Sequence, residues 1–472
     1  MMYTLTHFLG ARTGKIEGIN MKQSRSILTI CVSVVALPLE ARIESFSSLM
    51  RKSEMFNAAT AFPTSDNRIA IIAGSDKHKK RAIRDEANSV RPIAHPAVEG
   101  LIKSFLKHKG IFGSAVERRL YARMSVGAFI DRLLIKRPLM FMTASDSYLL
   151  RNGLMGDGGF EAIGTMQESA PLLLRDYLSY DEMQIAALLG VSVPTFFIND
   201  GNRTNRSVPG SPGSFQESGV YVGLVGARFE KPGYMEWQHM MVTPQQNTAS
   251  NGYGVQADQE SAQARAIKMW ESFYGETFPT YAQAQADTSG RYVLVGLGVY
   301  LDTMVYKKRM RMVIEPFLRD ANERGKEYKQ KVYCHAVGLG LGVWQKSPVQ
   351  AHLMLDVYKD IVQEVALPYI ADIDFSWFPA GTSLQHDQSV NPDLTFHFSK
   401  RNPADKLAGQ DAQKLLVAQY AWDGNAYPGN EYWAGYLTAS GDPAAACCST
   451  IAELQNPLIN SNASAQKMVY YK

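Results

Sequence analysis

From residue 191 onward the chain alternates short apolar runs with stretches of helical period. Val193–Ile198 and Val220–Val225 are short runs rich in β-branched residues and predict strands. Arg291–Tyr300 predicts one long strand, Lys331–Val337 another and Tyr369–Phe375 a third. Between them, Ala262, Ala266, Trp270 and Phe273 fall on one face of a predicted helix that Asp258 is placed to cap. Thr303–Arg324 predicts a helix, and Ser347-Pro348 opens another that runs to about Val365. Such alternation predicts a largely parallel sheet covered by helices, with ligands beyond the carboxyl ends of the strands.

The first 190 residues read differently. Residues 1–90 are weakly patterned. Residues 96–190 read mostly helical, with Leu101, Phe105 and Leu106, then Val116, Leu120 and Met124, at helical spacing. A glycine-rich loop spans 152–164, and the helix opened by Asp181 ends at Gly190. Leu28–Ala36 predicts a buried strand. The competing reading is a signal segment, Ile27–Leu39, counted from a start at Met21. In that case Asn202, Asn205 and Asn462 head possible glycosylation sequons.

Length and composition narrow the picture. A 472-residue chain that is 46% hydrophobic and 20% charged has material for a sizeable core. No apolar run reaches the roughly 18–20 residues of a spanning helix. Four cysteines (Cys31, Cys334, Cys447, Cys448) with no CxxC pair give no disulfide framework and no zinc spacing. A reducing compartment and a metal-free site are the expectation. The net charge of +4 is unevenly spread: Lys77 to Arg137 holds 15 Lys and Arg against 5 Asp and Glu. That stretch is a solvated helical face or a patch for an acidic partner; no nucleic-acid motif accompanies it.

Four constellations carry candidate chemistry. Asn199-Asp200-Gly201-Asn202 ends an apolar strand, where it is either a turn or a polar ligand edge. Gly223 and Gly226 follow a strand and let backbone N–H groups approach an anion, with Glu230 and Glu236 further on. Gly338, Gly340 and Gly342, then Val343 and Trp344, lie between a strand and a helix. That turn suits a diphosphate, although it is neither a Walker A loop nor a GxGxxG. Without a lysine in the loop, a nucleotide transferase is a poor fit. Asp423, Asn425 and Glu431 sit among Trp422, Tyr427, Tyr432 and Trp433, a composition that suits a ligand wall or a loop closing the core.

Taken in order, the strand-end motifs resemble a macrodomain-type ADP-ribose site. Eight residues separate Gly226 from Met235-Glu236-Trp237, similar to poly(ADP-ribose) glycohydrolases, where two glutamates follow the glycines. Glu236 matches the first. Trp237 stands where the second, catalytic one is found, which points away from poly(ADP-ribose) cleavage. A wider resemblance runs over roughly residues 140–450. LLRNG…GFEAIGT (149–165), YLSYDEM…LLGVSVPTFFINDGNR (177–203), GARFEKPGYMEWQHM (226–240), GLGLGVWQ (338–345), AWDGNAYPGNEYW (421–433) and SGDPAAACC (440–448) look like the MavL-like family.

That resemblance implies a macrodomain-like three-layer α/β/α sandwich with a mixed sheet over residues 141–455. A partly helical, basic N-terminal region (1–140) precedes it and a tail (456–472) follows. It implies a bacterial effector secreted into the host cytoplasm that removes ADP-ribose from a modified arginine of ubiquitin or another host protein. No cofactor is implied, and a host ubiquitin-conjugating enzyme is a further partner to expect. A non-catalytic ADP-ribose reader is the alternative. For hydrolysis, Glu236 and Asp200 are the leading carboxylates, with Asp423 third and Glu230 and Asp302 further candidates. His239 is either a base or a packed core histidine. Asn199, Asn202, Gly223, Gly226, Gly338, Gly340, Gly342, Val343, Trp344, Asn425 and Glu431 are the expected ligand contacts.

Overall fold

The apolar runs become strands because their β-branched residues bury well on a pleated surface covered from both sides. The computed structural model describes residues 43–254, 261–379, 388–391 and 393–471. Among these, nine strands form one sheet: β1 (Arg91–Ala94), β2 (Gly190–Phe196), β3 (Ser218–Leu224), β4 (Val332–Ala336), β5 (Ile370–Phe375), β6 (Gln388–Asn391), β7 (Leu394–His397), β8 (Leu415–Ala421) and β9 (Val469–Tyr470). Their order is β6-β7-β5-β4-β8-β3-β2-β1-β9. The five strands β3, β8, β4, β5 and β7 run parallel to one another. β2 runs antiparallel to both β1 and β3, and β6 antiparallel to β7.

Helices cover both faces. Gln419 on β8 donates to Tyr358 Oη of the helix Val349–Glu364. Its neighbour Tyr420 donates to Gln455, just past the helix Ile451–Leu454. Successive strand residues point to opposite faces, so the two helices lie on opposite sides of the sheet. The fold is mixed α/β in three layers.

The 26-residue helix Thr303–Tyr328 spans the first of these faces. Asp302 caps it, accepting from the N–H groups of Met304 and Val305. Its inner side carries buried charge. Asp320 accepts from Ser192 on β2 at 2.5 Å and from Tyr471 beside β9 at 2.7 Å. Arg309 donates to the carbonyls of Ala187 and Val225, each at 3.1 Å. The helix therefore fixes the chain on both sides of the β2–β3 pair.

Several expectations change. β1, from within residues 1–140, and β9, from within the tail, are strands of the main sheet, paired to each other in parallel. The long strand expected at 291–300 is a hairpin, Tyr292–Gly296 and Val299–Asp302, which turns at Gly298 with φ +70°. Residues 140–157 form a small antiparallel sheet of Met140–Met142, Ser147–Leu149 and Met155–Asp157 rather than helix. Most of the basic stretch is exposed or half-buried, but three of its cations turn inward. Lys109 pairs with Glu117 and Asp181, Arg132 with Glu182, and the Arg137 guanidinium lies 4.2 Å from the centre of the Trp422 ring. The strand expected at Leu28–Ala36 and the cap at Asp258 lie outside the described residues. Among the described residues no helix is long and apolar enough to cross a membrane.

Candidate active site

Because β3, β8, β4 and β5 are parallel, the loops that follow them emerge at one edge of the sheet. Two of these loops touch. A side chain at Gly226 would put its Cβ 2.4 Å from the Gly340 nitrogen, and Gly340 itself has φ +72°. Only glycine permits that approach and that backbone conformation. The second and third constellations are thereby joined.

Around this junction lie two recesses. The larger, about 780 Å³, is lined by Asn202, His335, Gly338, Gly342, Trp377 and Gln419, among others. The smaller is a narrow cleft walled by Phe141, Asp146, Glu230, Trp344, Asp423 and Asn425. The same two loops serve both: Ala421 and Gly342 line the cavity, and Asp423 and Trp344 line the cleft.

Carboxyl groups crowd the cleft. Burial, and then the neighbouring Glu431, push Asp423 up to about 8. Asn430 Nδ2 donates to Asp423 Oδ2 at 3.0 Å and fixes its orientation. Behind it Asp442 is raised by burial and accepts from the N–H groups of Asp423 and Gly429. Glu431 is raised by burial too and stands behind the cleft wall rather than on it. Glu230 is half-buried in the cleft, and among the described residues nothing pairs with it.

Glu236 is placed differently. It is almost fully buried, and Arg228 grips both its oxygens, Nε to Oε2 at 3.0 Å and Nη2 to Oε1 at 3.2 Å. Arg309 adds a third donor at 3.1 Å. Arg228 also donates to Asn425 Oδ1 and to the Met183 carbonyl. Glu236 thus holds an arginine that holds the Asp423 loop, and it does not line the cleft.

Other expected residues fall away from the recesses. β2 is antiparallel to β3, so Asn199 leaves the sheet at the opposite edge from the glycine loops. Its amide is spent on its own loop, with Asn205, Val208 and Gly201 as partners. Asp200 accepts from Asn202 and Asn402 and holds a loop that folds back, so that Gly201 and Asn202 reach the cavity. Gly223 lies inside β3, where a Cβ would strike the Tyr420 hydroxyl at 2.5 Å; it is a packing position. Val343 is exposed. Asp302 is consumed by Arg291 and its helix cap. His239 stacks on Phe278 and packs at a tilt against Trp270, and burial pushes it down to about 3, so it is a core histidine.

Two features carried no signal in the sequence, a clamp at Asp146 and the exposed Trp377. Asp146 accepts from both Tyr180 and Lys231, and Lys231 lies 4.7 Å from the centre of the Tyr234 ring. This clamp ties the Glu230 loop to the 140–149 hairpin. Trp377, 59% exposed with φ +57°, overhangs the larger cavity. A bulky residue in that backbone region is uncommon and marks functional sites.

A family model described as ADP-ribosylhydrolase MavL-like matches residues 47–470. The chain belongs to this family. Two curated relatives from Drosophila melanogaster agree. The ADP-ribosylarginine hydrolase CG3568 is 40% identical over 406 residues, covering 82% of this chain and 79% of its own. The ADP-ribosylarginine hydrolase CG2909 is 37% identical over 394 residues, covering 80% and 78%. This MavL-like protein is therefore an enzyme, a hydrolase acting on ADP-ribose-modified substrates.

Proposed function

We propose that the protein cleaves the N-glycosidic bond between ADP-ribose and the guanidine of a modified arginine, with ubiquitin as the protein substrate to test first. The observation that carries this reading is Asp423: a carboxyl raised to about 8 in a narrow cleft that adjoins a nucleotide-sized cavity. The relatives' names supply the arginine linkage. In this reading the site is macrodomain-like. The adenosine half of ADP-ribose lies in the cavity against Trp377, the diphosphate passes the Gly226–Gly340 junction, and the distal ribose enters the cleft.

The bond from C1″ to the guanidine nitrogen breaks with its electron pair leaving on nitrogen. A water oxygen adds to C1″ and yields free ADP-ribose. Glu230, which lines the cleft, takes the proton of that water. Asp423, protonated at neutral pH, supplies the proton that the leaving nitrogen needs. The Glu230 carboxylate also favours the positive charge that develops on the sugar. Trp344 and Phe141 wall the cleft with apolar surface.

A substrate panel tests the proposal. Ubiquitin carrying ADP-ribose on arginine is incubated with the protein beside proteins modified on serine or glutamate, and intact masses are followed. Loss of ADP-ribose from arginine first is the expected result. Equal or faster loss from the ester or serine linkage would overturn it.

A further inference from the structure

Beside the reaction cleft runs an open groove of about 440 Å³, lined by Met142, Arg206, Tyr436, Leu437, Thr438 and Ala439. Met142 also lines the cleft, so the two adjoin across its side chain. The far wall is anchored to the site as well: the Tyr436 N–H donates to the Glu431 carbonyl at 3.0 Å. Tyr436 is half exposed and Leu437 half-buried, which leaves apolar surface open.

Arg206 supplies the charge. It is exposed, and among the described residues no carboxylate pairs with it. Its backbone is held at φ +50° by its neighbours: Asn205 donates to the carbonyls of Asn202 and Ala444, and Ser207 binds Asn205 and Thr64. The guanidinium is thus presented from a fixed loop onto an apolar trough.

We infer that this groove seats the polypeptide flanking the modified side chain and prefers an acidic residue there. The inference rests on the hydrolase reading above. When the distal ribose occupies the cleft, the side chain bonded to C1″ must leave through its mouth, and the substrate's backbone must lie just outside. The groove is the recess that adjoins the cleft on the hairpin side, with Met142 between them. An unpaired guanidinium there favours Asp or Glu, and Tyr436 with Leu437 favours an apolar neighbour.

The test compares a small substrate with peptides. ADP-ribosyl-arginine lacks any flanking chain. Two ADP-ribosylated peptides differ only in carrying Glu or Lys beside the modified arginine. The wild-type protein is expected to favour the Glu peptide by about tenfold in kcat/KM, mostly through KM. R206E should abolish or reverse that preference and leave ADP-ribosyl-arginine turnover unchanged, and Tyr436→Ala should weaken both peptides alike. Equal wild-type rates on the two peptides would overturn the groove while leaving the hydrolase reading intact. So would an R206E loss of equal size on the small substrate. If wild-type protein turned over neither peptide nor small substrate, the hydrolase reading would fall, and the groove with it.

Discussion

Arg228 and Glu236 form a bidentate ion pair with both side chains almost fully buried, 3.0 Å from Nε to Oε2. The pair connects the loop after β3 to the loop after β8, because the same guanidinium also donates to Asn425. A glutamate held by two arginines is a strut. Its removal leaves buried positive charge without a partner.

Glu236→Gln is therefore expected to destabilise the protein by about 3–5 kcal/mol. Thermal and denaturant unfolding would measure it. Activity at low temperature, normalised to folded protein, should fall less than for Asp423→Asn. A fully stable Glu236→Gln with no turnover would instead return Glu236 to the chemistry.

Asp423 links stability to pH. Its folded value of about 8 lies above the ordinary 3.8, so the folded state holds a proton that the unfolded state releases between those values. Stability contributed by this group is present at low pH and is lost as pH rises through about 8. Asp423→Asn should flatten that decline when melting temperature is followed from pH 5 to 9. The alkaline limb of kcat/KM near 8 should belong to the coupled Asp423, Glu431 and Asp442 group and should move when Glu431 is changed to Gln.

Trp377 is expected to carry ADP-ribose affinity without touching the bond that breaks. Stacking on a base is worth about 1–3 kcal/mol. Trp377→Ala should raise the calorimetric Kd for ADP-ribose by about tenfold or more and raise KM, with kcat at saturation nearly unchanged. Unchanged affinity would move the adenine elsewhere in the cavity.

His239 gives the opposite pH signature. Burial among Trp270, Tyr274 and Phe278 lowers it from 6.5 to about 3. The unfolded chain binds a proton there that the folded chain refuses, so stability rises with pH between those values and is lost in acid. His239→Phe should lessen acid sensitivity in unfolding experiments between pH 4 and 6.5 and keep hydrolase activity. Lost activity in a folded His239→Phe protein would make it a base after all.

The chain announced β2, β3, β4 and β5 but neither β7 and β8 of the parallel core nor the edges. Val193–Ile198, Val220–Val225, Lys331–Val337 and Tyr369–Phe375 each lie within a residue or three of an observed strand, because strands buried on both faces read as apolar runs. β1 is four residues long and contains Pro92, and β9 is only two residues, so neither has a period to detect. The direction of β2 is set by its partners, and with it the misplacement of Asn199. In the site, the glycine loops and Asp423 were legible from composition. The difference between Glu230 and Glu236 was not. It depends on Arg228 and Arg309, and the latter lies 73 residues beyond Glu236 on another element. Asp146 and Trp377 carried no sequence signal, since each owes its place to a left-handed backbone turn.

The most direct test of the site pairs release with binding. Wild-type protein and Asp423→Asn are each given ADP-ribosylated arginine in a protein, free ADP-ribose is quantified, and ADP-ribose affinity is measured in parallel. The account predicts release by the wild type, a loss of at least about 100-fold in Asp423→Asn, and affinities within a few fold of each other. Near-normal release by a folded Asp423→Asn would contradict it.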